Sequence, residues 1–129
     1  MKLISILFFG LISINAFADH FKQEAIIKIN DKIAVQVSSL PSLQEKKVST
    51  VRLKVLGSKK VKVLSFDAEM PDHDHGMITK ATAPQWQKAT KEFEVKGVKL
   101  HMPGHWLLKV KIEMNGKSSE HQVAYQLKH

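Results

Sequence analysis

The sequence contains no cysteine among its 129 residues, and this absence excludes several kinds of site. Disulfide bonds cannot stabilise the fold, so side-chain packing must do so alone. Zinc sites built on thiolates are excluded, and so are blue copper centres, which need a cysteine ligand. Any metal site in this chain must therefore use histidine, methionine or carboxylate ligands.

Other features are also missing. After residue 18 no stretch approaches the roughly 20 consecutive apolar residues that a membrane-spanning helix needs. No apolar pattern keeps a helical period for more than two turns. The sequence has no nucleophile motif, no phosphate-binding glycine loop and no electron-transfer cofactor motif, so we do not expect an enzyme.

Residues 1–18 have the pattern of a secretory signal peptide. Lys2 is followed by an uncharged apolar run that ends in the small-x-small sequence Ala16-Phe17-Ala18. We predict cleavage after Ala18 and an exported, periplasmic protein, whose formal net charge falls from +8 to +7 with the loss of Lys2. Residues 19–129 are enough for a single domain and too few for two.

The remaining chain alternates between apolar and polar residues, which is typical of half-buried strands. Lysines occupy many of the polar positions, so we assign the positive charge to solvated strand faces, and export makes nucleic acid an unexpected partner. The alternation predicts an all-β, immunoglobulin-like β-sandwich of about seven to eight strands. The predicted strands are 24–29, 32–39, 49–56, 60–69, 91–96, 106–114 and 119–127.

Two further predictions follow from the same alternation. Asn115-Gly116 favours a two-residue hairpin, so the last two strands should be neighbours, with His121 on the outward side of the final strand. The predicted core consists of Ile33, Val35, Val51, Leu53, Val55, Val63, Phe66, Phe93, Val95, Trp106, Leu108, Val110, Ile112, Val123, Tyr125 and Leu127.

Four of the seven histidines lie in two short stretches, MPDHDHGM at residues 70–77 and HMPGHW at residues 101–106. Residues two apart in an extended chain point to the same side, so His73, His75 and Met77 are the first candidate metal ligands. The second stretch adds His101, Met102 and His105. Imidazole and thioether donors together suit copper, as Cu(I) or Cu(II). Zinc is an alternative metal, because carboxylates such as those of Asp72 and Asp74 also bind it.

Two methionines have a simpler interpretation. In the alternating pattern Met70 falls on the same side of its strand as Phe66 and Ala68, and Met102 falls on the same side as Leu100. Both methionines could therefore fill the end of the core. Met70 nevertheless stays among the candidate ligands. Trp86, in the long connection 71–90, is interpreted as an aromatic anchor for that connection, with a position over a metal as the alternative.

A short extra strand at residues 76–82 decides whether the two stretches can meet. With that strand, the chain reverses twice between them and both stretches reach the same end of the sandwich. Without it, they lie at opposite ends. We predict the strand and hence the shared end.

MPDHDHGM, the later GVKLHMPGHWLLKVKI and the leader together resemble the YtkA-like and FixH-like family of small exported or membrane-anchored domains. Met70, Pro71, His73 and His75 match the first family element, and Met102, Pro103, Gly104 and Trp106 match the second. The resemblance covers roughly residues 60–114. It implies an immunoglobulin-like fold and a role in copper handling. Asp74 departs from the pattern, because relatives often have glycine there.

Two functions of different classes fit these observations. The first is a periplasmic copper-binding protein, a carrier, chaperone or resistance factor, that exchanges copper with an envelope or inner-membrane protein. The alternative is a non-metal interaction module that supports a membrane complex of the cell envelope. In that case the histidines are polar loop residues.

Overall fold

The computed structural model describes residues 23–41, 48–57 and 60–128. The predicted leader, residues 1–18, and its cleavage site lie outside these ranges. Within them the chain forms nine strands and one turn of 3-10 helix, Pro71–His73. The strands are β1 Gln23–Lys28, β2 Ala34–Leu40, β3 Ser49–Leu56, β4 Lys62–Met70, β5 His75–Gly76, β6 Gln85–Gln87, β7 Glu92–Val98, β8 Gly104–Met114 and β9 Lys117–Leu127.

The strands form two antiparallel sheets. The five-stranded sheet has the order β1-β2-β3-β7-β6, and the four-stranded sheet has the order β5-β4-β8-β9. This confirms the predicted all-β sandwich. It has nine described strands rather than seven or eight because two very short ones, β5 and β6, flank the connection after β4. No helix in the described part of the chain is long and apolar enough to cross a membrane.

All seven predicted long strands are present, with ends within a few residues of the prediction. The hairpin prediction is confirmed as well, since β8 and β9 pair with Met114 opposite Lys117 and only Asn115-Gly116 between them. Both turn residues have positive φ, 55° at Asn115 and 77° at Gly116, as a tight right-twisted hairpin requires.

Side chains from both sheets fill one hydrophobic core. Thirteen of the sixteen predicted core residues are buried, and Ile33, Val55 and Val123 pack against the core while partly exposed. Trp106 is completely buried. The prediction for His121 is wrong: it lies opposite the buried Val110 and therefore faces inward at the sheet edge, because it shares the alternation of Tyr125 and Leu127.

The predicted strand at residues 76–82 is also wrong. Residues 77–84, all of them described, form no strand and cross from the four-stranded sheet to the five-stranded one. Two threonines attach this crossing to β7: the Thr79 hydroxyl donates to the Gly97 carbonyl at 2.7 Å, and the Thr82 amide donates to the Lys96 carbonyl at 2.9 Å. These hydrogen bonds join the crossing to β7, and the crossing does not form a hairpin of its own.

Candidate metal site

The two histidine stretches do meet, for a reason other than the predicted strand. The end of β4 pairs with the beginning of β8, with Glu69 opposite Leu107. MPDHDHGM follows directly from β4, and HMPGHW leads directly into β8. Because the two strands are antiparallel neighbours in one sheet, both stretches lie at the same end of the sandwich.

The first stretch folds as a tight hairpin rather than as an extended loop. Pro71 starts the 3-10 turn, and proline suits this position because its fixed φ fits a helix start. Asp74 then adopts the left-handed conformation, φ 53°, and its amide donates to the Pro71 carbonyl at 3.4 Å. The chain thereby reverses, and His75 pairs back onto Met70. The left-handed φ explains why glycine would also suit position 74.

This hairpin places one histidine towards the sandwich interior and leaves the other exposed. His75 lies opposite Met70, which is 1% exposed, so the two side chains project from the same face of the sheet. His73 sits in the exposed turn, and its ring stacks on that of His75 with 5.7 Å between ring centres. Asp72 and Asp74 are exposed, as expected for solvated carboxylates.

The second stretch holds His101 against the first. Its ring centre lies 5.2 Å from that of His75 and 5.6 Å from the centre of the Trp106 ring, which it meets edge to face. The Trp106 indole donates a hydrogen bond to the Met102 carbonyl at 3.0 Å and so fixes the turn that follows His101. A buried core tryptophan thus positions a candidate ligand.

The polar atoms of His101 are unusual. Its Nδ1 is buried and has no hydrogen-bond partner among the described residues. Burial lowers the pKa of His101 below its ordinary 6.5, and the nearby His75 and Lys99 lower the pKa further. His101 is therefore held in the neutral form, which is the form that binds metals.

His105 lies apart from this group. Trp106 faces the core, so the preceding residue faces the outside of the sheet. There His105 Nδ1 lies 3.9 Å from an Asp72 carboxylate oxygen, at the outer edge of ion-pair range. The structure therefore assigns His105 to the outer surface and brings His73, His75 and His101 into contact as a chain of three rings.

The candidate methionines are buried or partly buried at the edge of the core. Met70 is part of the core, as its alternation predicted, and it lines an open depression of about 420 Å³ together with Glu69, Pro71, Asp74, His75 and Gly76. Met77 and Met102 are partly buried and pack against the core. Trp86 packs edge-on against Phe93 in the neighbouring strand, 5.1 Å between ring centres, which supports its interpretation as an anchor.

In the described part of the chain no three histidine, aspartate or glutamate side chains are grouped closely enough to hold a metal ion. Two imidazoles bound to one tetrahedral ion at about 2.0 Å have ring centres roughly 5 Å apart, and His75 and His101 match that separation. The arrangement thus supplies two imidazole rings at a suitable centre-to-centre separation, and Met70, Met77 and Met102 in the same two stretches supply thioether sulfur.

Comparisons with known proteins add no relative: no family model, no curated protein and no solved structure matches the chain. A functional conclusion must therefore rest on the residues and their geometry.

Proposed function

We propose that this protein is an exported copper-binding protein that carries the ion to, or takes it from, a protein of the cell envelope. The contact between His75 and His101 carries this proposal. Their ring centres are 5.2 Å apart, and His101 Nδ1 is buried without a hydrogen-bond partner in the described ranges of the chain. A buried polar atom without a partner is costly, and a bound ion would remove that cost.

The donor types favour copper. The two rings are accompanied by Met70, Met77 and Met102 in or next to the same stretches, and thioether sulfur is a ligand for copper rather than for zinc, magnesium or calcium. Two of the nearby carboxylates have partners of their own. Asp72 faces His105, and Glu69 accepts a hydrogen bond from Lys109 at 2.7 Å.

The shape of the site suits a carrier. A carrier must release its ion by ligand exchange, so a partner must be able to reach the bound ion. The depression lined by Met70 and His75 opens to solvent next to the hairpin, and His73 stacks on the exposed side of His75. A ligand from a partner could enter there and take over the ion.

A different observation favours the non-metal interaction module. Ile78 is 70% exposed and Trp86 is 54% exposed, although both are large apolar side chains. Both belong to the part of the chain that forms the edge of the five-stranded sheet, and exposed tryptophan is common in protein interfaces. This surface could bind an envelope protein without any metal.

Metal titration separates the two functions. Untagged protein without the predicted leader is titrated with Cu(I), Cu(II) and Zn(II) against competing chelators. His73→Ala/His75→Ala should lose copper affinity by at least tenfold, because it removes the ring contacts on both sides of His75. His121→Ala is the matched control, since His121 lies on β9, away from the two stretches, and its Nε2 bonds to the Ser119 hydroxyl of the same strand at 2.8 Å. Equal binding by all three proteins would show that the proposed site is wrong, and no binding tighter than micromolar would leave only the interaction module.

A further inference from the structure

A hydrogen bond from the His75 ring determines which of its nitrogens can bind an ion. His75 Nδ1 lies 3.1 Å from the carbonyl oxygen of Gly76. A carbonyl can only accept, so Nδ1 must carry the proton and donate it. In a neutral imidazole the lone pair is then on Nε2. Metal-binding histidines in proteins are commonly oriented in this way, by donating the other ring N–H to a backbone carbonyl.

His101 offers the opposite nitrogen. Its Nδ1 is the buried atom without a partner among the residues that the structure describes. The ring is held from one side by the edge-to-face contact with Trp106, and it meets His75 on another.

A third donor lies at the same place. Met70 is the cross-strand partner of His75, and directly paired residues have Cβ atoms roughly 5 Å apart on one face of the sheet. Its terminal methyl lies 3.0 Å from the position that a Cβ atom on Gly104 would occupy, at the start of β8. The thioether therefore spans from the His75 hairpin to the turn after His101.

We propose that His75 Nε2, His101 Nδ1 and the Met70 sulfur form a three-coordinate site that selects Cu(I) over Cu(II) and Zn(II). The inference rests on the proposed copper function and goes further, because it names the oxidation state and the binding atoms.

The number and type of ligand atoms account for the preference for Cu(I). Zn(II) is almost always four-coordinate in proteins, and Cu(II) prefers a tetragonal set of nitrogen and oxygen donors. The described residues contain no group of three histidines or carboxylates that could supply such a set. Cu(I) is softer and accepts thioether sulfur, so two imidazoles and one methionine suit it. The buried position of Met70 also keeps water from the ion.

Nitrogen NMR on the untagged protein tests the atom assignment without any mutation. The metal-free protein should show His75 with the proton on Nδ1. Addition of Cu(I), which is diamagnetic, should shift His75 Nε2 and His101 Nδ1 and leave both nitrogens of His105 unchanged. A larger shift at His101 Nε2 than at His101 Nδ1, or any shift at His105, would overturn the assignment.

Cu(I) competition with a chelator tests the sulfur. Met70→Leu preserves side-chain volume, so the variant should fold, and it should bind Cu(I) at least tenfold more weakly. Met114→Leu is the matched control, because Met114 also packs against the core but at the far end of β8. Unchanged Cu(I) affinity in Met70→Leu, or a loss on Met77→Leu or Met102→Leu instead, would refute the Met70 assignment.

The same titrations distinguish the two proposals from each other. If the protein binds Cu(II) or Zn(II) as tightly as Cu(I), the selectivity is wrong while the copper function stands. If no form of copper binds, both proposals fail.

Discussion

The ring centres of His75 and His101 lie 5.2 Å apart, although His75 belongs to β5 and His101 lies in the loop between β7 and β8. The pairing of β4 with β8 brings them together, and Trp106 holds the second ring in place. The site thus depends on the pairing of the two central strands of the four-stranded sheet. The following predictions test the links between fold and site.

Trp106→Phe should weaken both the fold and the site. The change removes the hydrogen bond to the Met102 carbonyl and part of a completely buried ring, so we expect a loss of about 1–3 kcal/mol in the free energy of unfolding. Copper affinity should fall several-fold because the turn after His101 loosens. Urea unfolding and chelator competition measure the two effects.

Trp86→Phe provides the control for that variant. Trp86 is 54% exposed, so its replacement should cost less than about 1 kcal/mol and leave copper affinity unchanged. Equal effects of the two tryptophan variants would contradict the role given to Trp106.

Asp74→Gly should be neutral or stabilising, by up to about 1 kcal/mol. Asp74 has a φ of 53°, a conformation that costs glycine least. Asp74→Val should destabilise by about 1–2 kcal/mol, because a β-branched side chain disfavours positive φ. Thermal unfolding of both variants gives the comparison. A valine variant as stable as the glycine variant would mean that the hairpin has a different backbone.

The metal-free protein should lose stability as the pH falls below 6.5, in part through His101. Burial, His75 and Lys99 lower the pKa of His101 in the folded state, so the folded protein takes up this proton less readily than the unfolded chain. The stabilisation that comes from the lowered pKa of His101 is therefore fully present above pH 6.5, and it is lost as the pH falls from there through the folded-state pKa.

Urea unfolding between about pH 8 and pH 5 should show this loss, and His101→Gln should reduce it. Chelator must be present so that bound metal does not contribute. Identical pH dependence in the two proteins would show that His101 is protonated as easily in the folded state as in the unfolded one.

Tyr125→Phe should cost nothing or stabilise by up to about 1 kcal/mol, because the Tyr125 hydroxyl is buried without a hydrogen-bond partner in the described structure. Burial also raises the pKa of Tyr125 above 10.0. The stabilisation that comes from this raised pKa is thus present below pH 10.0, and it is lost as the pH rises through the folded-state pKa. Phenylalanine should abolish that alkaline loss. Strong destabilisation by Tyr125→Phe would instead reveal a partner for the hydroxyl.

Local patterns in the sequence predicted much of the fold, because strands, the Asn115-Gly116 hairpin and the buried face all follow from alternation and turn chemistry. The outward position of His105 could also have been predicted, since His105 precedes a core tryptophan. Two features could not be predicted from local patterns. The pairing of β4 with β8 is a long-range contact, and the crossing at residues 77–84 depends on hydrogen bonds to β7. The contact between His75 and His101 follows from the first of these.

A double-mutant cycle for Cu(I) affinity on His75→Ala, His101→Ala and the double variant tests the central claim most directly. If both rings hold one ion, each single variant should lose at least roughly tenfold in affinity, and the double variant should lose little more than either one, since removing one ligand already breaks the site. His105→Ala should bind like the wild type. Wild-type affinity in His101→Ala, or losses that multiply independently, would contradict a single site built from the two stretches.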